Sequence, residues 1–136
     1  MIERGVYENP NRGRQLLRFD DMRFLNSITP TDIDAMIEVR DRVLVFFEAK
    51  LRGKDVPRGQ RIALERLVLN AKSAGKHAIA IVGEHCVDDT NKDIFLKDLN
   101  VREVFTSESM KWQPPKWDIT AKEAADYYIG YFYKVA

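Results

Sequence analysis

A chain of 136 residues, 45% hydrophobic and 32% charged, has the make-up of one soluble globular domain spanning residues 1–136, able to bury about two-thirds of its unfolded surface without staples. Its 22 basic and 21 acidic residues leave a net charge of +1, which removes any global electrostatic argument for binding nucleic acid. No apolar run nears the roughly 20 residues that cross a bilayer, "MIERGVYENPNRGR" lacks a signal-like apolar segment, and Cys86 with His77 and His85 makes neither a disulfide nor a Cys/His zinc set, so the expectation is a cytoplasmic protein with no membrane span.

Along the chain, the first 26 residues show weak periodicity, with "RQLLRF" reading as a short strand or edge segment. From Asp34 to Val39 the side chains alternate, placing Ala35, Ile37 and Val39 on one face and Asp34, Met36 and Glu38 on the other. "EVRDRV" supplies a polar turn, and the β-branched and aromatic run Val43–Ala49 is the return strand of a hairpin. After "GKDVP", with Pro57 suited to a first helical turn, Ile62, Leu64, Leu67, Val68 and Ala71 recur at helical spacing until Gly75 stops the helix. "HAIAIVG" and "NVREVFT" are further strands, and strand, helix, strand makes a right-handed crossover that sets two strands parallel. Thr120 and Glu123 form a capping-box pattern ahead of a last helix whose inner face carries Ala125, Tyr128, Ile129 and Phe132. The fold class is α/β, a mixed sheet flanked by helices.

The segment "ITPTDIDAMIEVRDRVLVFFEAK" combines core-strand alternation with charges that an apolar interior excludes unless they have a partner, a metal or a task. Period two puts Leu44, Phe46, Glu48 and Lys50 on one face, and a paired hairpin brings Asp34 toward Glu48 and Lys50. Two carboxylates are hard ligands for Mg²⁺ or Mn²⁺, which polarise a phosphoryl oxygen, and a lysine orients water or balances developing charge. That is the demand of phosphodiester hydrolysis. A plain salt bridge between Glu48 and Lys50 is the competing reading of the same spacing. The basic run Arg52, Lys54, Arg58 and Arg61 flanks the segment, as do Arg12, Arg14, Arg18 and Arg23.

"TDID", "VLVFFEAK" and "GQRIALERLV" together resemble the PD-(D/E)XK nuclease superfamily, in particular its small phage-encoded or bacterial members, over roughly residues 12–85. The resemblance implies a restriction-endonuclease-like core and a Mg²⁺- or Mn²⁺-dependent nuclease acting on DNA, structure-selective in phage or mobile-element DNA processing. Carried over, Asp34 and Glu48 are metal ligands, Ala49 lends its carbonyl, Lys50 is the catalytic lysine, and Gln60 bonds a ligand water or phosphate. Asp32 is the alternative to Asp34, and Glu3, Glu8, Asp20 and Asp21 are candidates for the acidic residue that many members draw from an N-terminal helix. Arg52, Lys54, Arg58 and Arg61 would hold phosphates. The alternative function is a non-catalytic nucleic-acid-binding or assembly module that keeps the nuclease fold.

Outside this segment, His85 reads as a capping or loop residue ahead of a metal or proton-transfer group. Trp112 and Trp117, in "MKWQPPKW", read as anchors of a loop to the core or an interface ahead of base-stacking platforms. Tyrosines 127, 128, 131 and 133 are too many for one buried stripe and leave room for a homodimer contact.

Overall fold

β-Branched and aromatic residues at alternate positions build the centre of the molecule. The computed structural model describes residues 9–16, 18–25 and 28–133, and the chain divides into two compact units, Met1–Asp32 and Ile33–Ala136. In the first unit, a four-residue helix α1 (Pro10–Gly13) is capped by the Asn9 side chain, which accepts from the Asn11 N–H. The strand expected at "RQLLRF" is absent among the described residues, and Leu17 lies outside them. Local turn bonds take its backbone instead: the N–H of Arg14 donates to the Asn11 carbonyl and that of Gln15 to the Arg12 carbonyl.

The second unit holds a five-stranded mixed sheet in the order β1 (Ala35–Val39), β2 (Val43–Leu51), β3 (His77–His85), β4 (Asn100–Thr106), β5 (Trp112–Gln113). β2 and β3 are parallel, and the other neighbours are antiparallel. Helix α2 (Arg58–Ser73) makes the crossover between the parallel pair, and helix α3 (Ala121–Phe132) covers the other face. The expected α/β architecture is therefore present. Val43, Val45 and Phe47 of β2 pack with Ala121, Ala125 and Tyr128 of α3, whereas Phe46 packs with Leu64, Val68 and Ala71 of α2. β2 is thus apolar on both faces, as a strand between two helical layers must be.

The turns follow from local chemistry. In the β1–β2 hairpin Arg40 and Asp41 have φ of 45° and 61°, a conformation that costs an L-residue roughly 1–2 kcal/mol. Glu38, which accepts from the Asp41 N–H, and Lys76, which pairs with the Asp41 carboxylate, offset that cost. Pro57 caps α2 rather than entering it, and at the other end Gly75, at φ 80°, lets the Lys76 N–H reach back to the Ala71 carbonyl at 2.9 Å. α3 opens on the expected capping box, with Thr120 and Glu123 each bonding the other's backbone.

Between β3 and β4 the ladder slips. Val82 faces Glu103, but Gly83 faces Val101, so Arg102 is an extra residue. Such a bulge turns two successive side chains to one face. Arg102 bonds Glu84 and Glu103 pairs with Arg61 of α2, so both lie on the α2 side, while Val101 remains in the α3-side core. Gly83 is required beside the bulge: a Cβ there would lie 2.7 Å from Leu99 Cβ.

A polar network ties the start of β3 to α3. Glu108 lies 2.8 Å from His77 Nδ1 and accepts from Ser107 Oγ at 2.6 Å, and the Tyr128 hydroxyl stands 2.6 Å from Glu108 and 2.9 Å from the Ala78 carbonyl. Burial pushes the Tyr128 phenol well above its ordinary range, with the Glu108 carboxylate adding to the effect. For Glu108 burial acts upward, but the bonds from His77, Ser107 and Tyr128 outweigh it and hold the carboxyl below its usual value. A depressed carboxyl gives stability that is present above its unfolded pKa and lost as pH falls through the folded value. A raised phenol gives stability that is present below its unfolded pKa and lost as pH rises beyond it. Urea midpoints should therefore fall below about pH 4 and again above about pH 10. Tyr128→Phe should lose about 1–2 kcal/mol at neutral pH and flatten the alkaline limb; an unchanged alkaline limb would assign that loss of stability to other groups.

Candidate metal centre

The site lies where β1 leaves the sheet. β1 pairs with β2 up to Ala35 opposite Phe47, and beyond it the Ala49 N–H, which a longer β1 would meet with a backbone carbonyl, donates to Asp34 Oδ2 at 2.7 Å. Within a ladder the N–H and C=O of one residue point to the same edge, so the Ala49 carbonyl is directed to the side of β2 on which the Asp34 carboxylate sits. Glu48 precedes Ala49 and turns to the α2 face, where it is 3% exposed. Lys50 shares that face with its Nζ 3.1 Å from Glu48 Oε1, and its side chain is 21% exposed.

Asp34, Glu48, the Ala49 carbonyl and Lys50 thus come from one hairpin, held by its register and one side-chain bond. Among the described residues no group of three or more His, Cys, Asp or Glu side chains gathers as a metal site. The donor set here is smaller, two carboxylates and a carbonyl, and Mg²⁺ is commonly held by one or two carboxylates with water completing its shell. Carboxylate and carbonyl oxygens are the donor type that a hard cation takes. Gln60 lies in the first turn of α2, half-buried, and Asp32 closes the first unit. Asp20 pairs with Arg18 at 2.9 Å, Asp21 is exposed, and Glu3 and Glu8 lie outside the described residues.

The four flanking cations differ in their engagement. Arg58, at the first position of α2, and Lys54 are exposed, while Arg52 is exposed with its Nε 3.6 Å from Glu84. Arg61 is more tightly held: it pairs with Glu103 and stacks over the Trp112 ring at 4.7 Å. Glu84, Arg102 and Glu103 surround the site, and the sequence reading passed over them. The signal was the pair of adjacent polar residues in "VREVF", which breaks strict alternation as a bulge does.

His85 serves its turn, accepting from the Val87 N–H at 3.1 Å. Trp112 anchors β5, with its ring on Phe105 and its Nε1–H donating to Glu65. Of its two readings, core anchor or interface, Trp117 does not take the first: it is 66% exposed, past the last paired residue of β5. It borders a cavity of about 700 Å³ on the α3 face, floored by Ile79, Val104 and Ala124, on the side of the sheet away from Glu48. Tyr127 and Tyr131 are exposed on α3, and Tyr128 is buried. No helix among the described residues is long and apolar enough to cross a membrane. Compared with known proteins, the chain matches no family model, no curated protein and no solved structure.

Proposed function

We propose that the chain is a Mg²⁺- or Mn²⁺-dependent nuclease of the PD-(D/E)XK type that hydrolyses DNA phosphodiester bonds in the cytoplasm. The observation that carries this reading is Glu48, a carboxylate 3% exposed, 3.1 Å from Lys50 and one residue before the amide that holds Asp34. Desolvating a carboxylate costs several kcal/mol, and residues that a fold holds against that cost concentrate where chemistry is done. A mixed sheet flanked by helices, with the acidic residue immediately before one strand of a hairpin and Glu-x-Lys on the other, supports the reading as a restriction-endonuclease-like core.

Asp34, Glu48 and the Ala49 carbonyl would hold the cation, which when bound supplies Lewis acidity to a phosphoryl oxygen and lowers the pKa of water. The protein's own residues supply position. The Ala49 N–H fixes the Asp34 carboxylate, Lys50 directs the attacking water and faces the charge that grows on the phosphate, and Gln60 bonds a water or phosphate oxygen. Arg52, Lys54 and Arg58 would hold flanking phosphates, with Arg61 joining them where phosphate replaces Glu103. The substrates would be selected by DNA structure, as in phage or mobile-element processing. A homodimer would form through the exposed Tyr127 and Tyr131 of α3.

The test is cleavage of single-stranded, duplex and branched DNA with Mg²⁺, Mn²⁺ or chelator. Metal-dependent cleavage by the wild type that is lost in Glu48→Ala and Lys50→Ala, both folded, supports the nuclease. No cleavage, or equal cleavage by all three proteins, overturns it in favour of a non-catalytic nucleic-acid-binding or assembly module.

A further inference from the structure

Two of the carboxylates on the α2 face neighbour Lys50 along its strand or in register. Glu48 stands two residues back on β2, and Glu84 is its register partner on β3. The ammonium lies on Glu48 at 3.1 Å, and among the described residues Glu84 pairs with arginines instead. Arg102 Nε meets Glu84 Oε2 at 2.9 Å, and Arg52 Nε stands 3.6 Å from Oε1. Arg102 is the better held of the two, 23% exposed against 66%, with its Nη1 also donating to the Lys54 carbonyl at 2.7 Å. It reaches Glu84 because it is the extra residue of the β4 bulge.

We propose that Arg102 is a positioning residue for the candidate metal centre: by neutralising Glu84 it leaves Lys50 on Glu48. Register partners are close enough for a half-buried carboxylate left with only the exposed Arg52, 3.6 Å away, to draw an ammonium strongly. Without Arg102 the ammonium swings across to β3, away from the carboxylate that it serves. The same guanidinium, through the Lys54 carbonyl, holds the loop that joins Lys50 to the start of α2. The catalytic meaning of this arrangement rests on the nuclease reading, whereas the choice of Lys50 between two carboxylates does not.

The experiment compares wild type with Arg102→Gln, Arg102→Lys and the double variant Arg102→Gln/Glu84→Gln, by crystal structure and by Mg²⁺-dependent DNA cleavage. In Arg102→Gln, Lys50 Nζ should be found on Glu84 and cleavage should fall at least tenfold. Arg102→Lys, which keeps a cation on Glu84, and the double variant, which removes the competing charge, should keep Lys50 on Glu48 and cleave within about threefold of wild type. Lys50 remaining on Glu48 in Arg102→Gln overturns the inference, as does a double variant no better than the single one, which would reduce Arg102 to a loop clamp. Should Arg102→Gln not fold, loss of the Lys50–Glu48 contact in Arg102→Lys overturns it equally. A wild type that cleaves nothing defeats the nuclease alone, and the crystal structures still decide where Lys50 goes.

Discussion

Glu48→Gln is expected to lower metal-dependent DNA cleavage about 10³-fold while changing stability by no more than about 1 kcal/mol. The rate loss corresponds to roughly 4 kcal/mol of transition-state stabilisation, the scale for removing a ligand of a cation that balances phosphoryl charge. The small stability effect follows from the unequal burial of the pair. Glu48 is 3% exposed and Lys50 21%, so the amide removes the more deeply buried charge and leaves the less buried one. Lys50→Ala should cost a comparable factor in rate but a larger loss of stability, about 3 kcal/mol, because the buried carboxylate then loses its cation. Urea denaturation of both variants beside the cleavage assay checks the order. If Glu48→Gln proves the more destabilising and the wild type shows no cleavage, the pair is a structural bridge.

Gly83→Ala should destabilise the protein by about 2–3 kcal/mol, the upper part of the range for overpacking a well-filled core. The added methyl would stand 2.7 Å from Leu99 Cβ and 3.1 Å from Leu99 Cδ1. Cβ is fixed to the backbone, so rotating the leucine cannot relieve the shorter contact. Leu99 is 2% exposed and its carbonyl accepts from the Ala121 N–H at 2.7 Å, so displacing it also disturbs the first residue of α3. A fall in melting temperature of roughly 5–10 °C is the expected readout. Wild-type stability in Gly83→Ala would mean that the segment before β4 gives way freely, and that the bulge is not pinned by this contact.

The second unit was legible where one period or one turn residue decided the outcome. Val43 to Ala49 could only be a strand covered on both sides, Gly75 could only end α2, and Thr120 with Glu123 marked the start of α3. The parity that sets Glu48 and Lys50 together follows from strand geometry alone. The approach of Asp34 to Ala49 was less legible, since it depends on β1 stopping at Ala35, before its ladder reaches Ala49. The bulge was harder still, because Arg102 and Glu103 read as an ordinary polar interruption until β3 fixes which residue is extra. Trp117 carried two readings, core anchor or interface, and its position beyond β5, which leaves the ring exposed, is what separates them. In "RQLLRF" the apolar content was real, but among the described residues no strand pairs with it to reward an extended backbone.

The Asp34 contact and the Arg102 contact also differ in how far apart along the chain their members lie. Asp34 reaches Ala49 across 15 residues, whereas Arg102 reaches Lys54 across 48. Contacts of short separation demand less loop-closure entropy and tend to form early, and those of long separation wait until the intervening chain is ordered. The hairpin with its acidic and lysine side chains can therefore assemble ahead of the strand that arbitrates between Glu48 and Glu84. Lengthening the segment between β3 and β4 would slow that last step while leaving its final geometry unchanged, so the hairpin half and the charge-sorting half of the site can be separated in time.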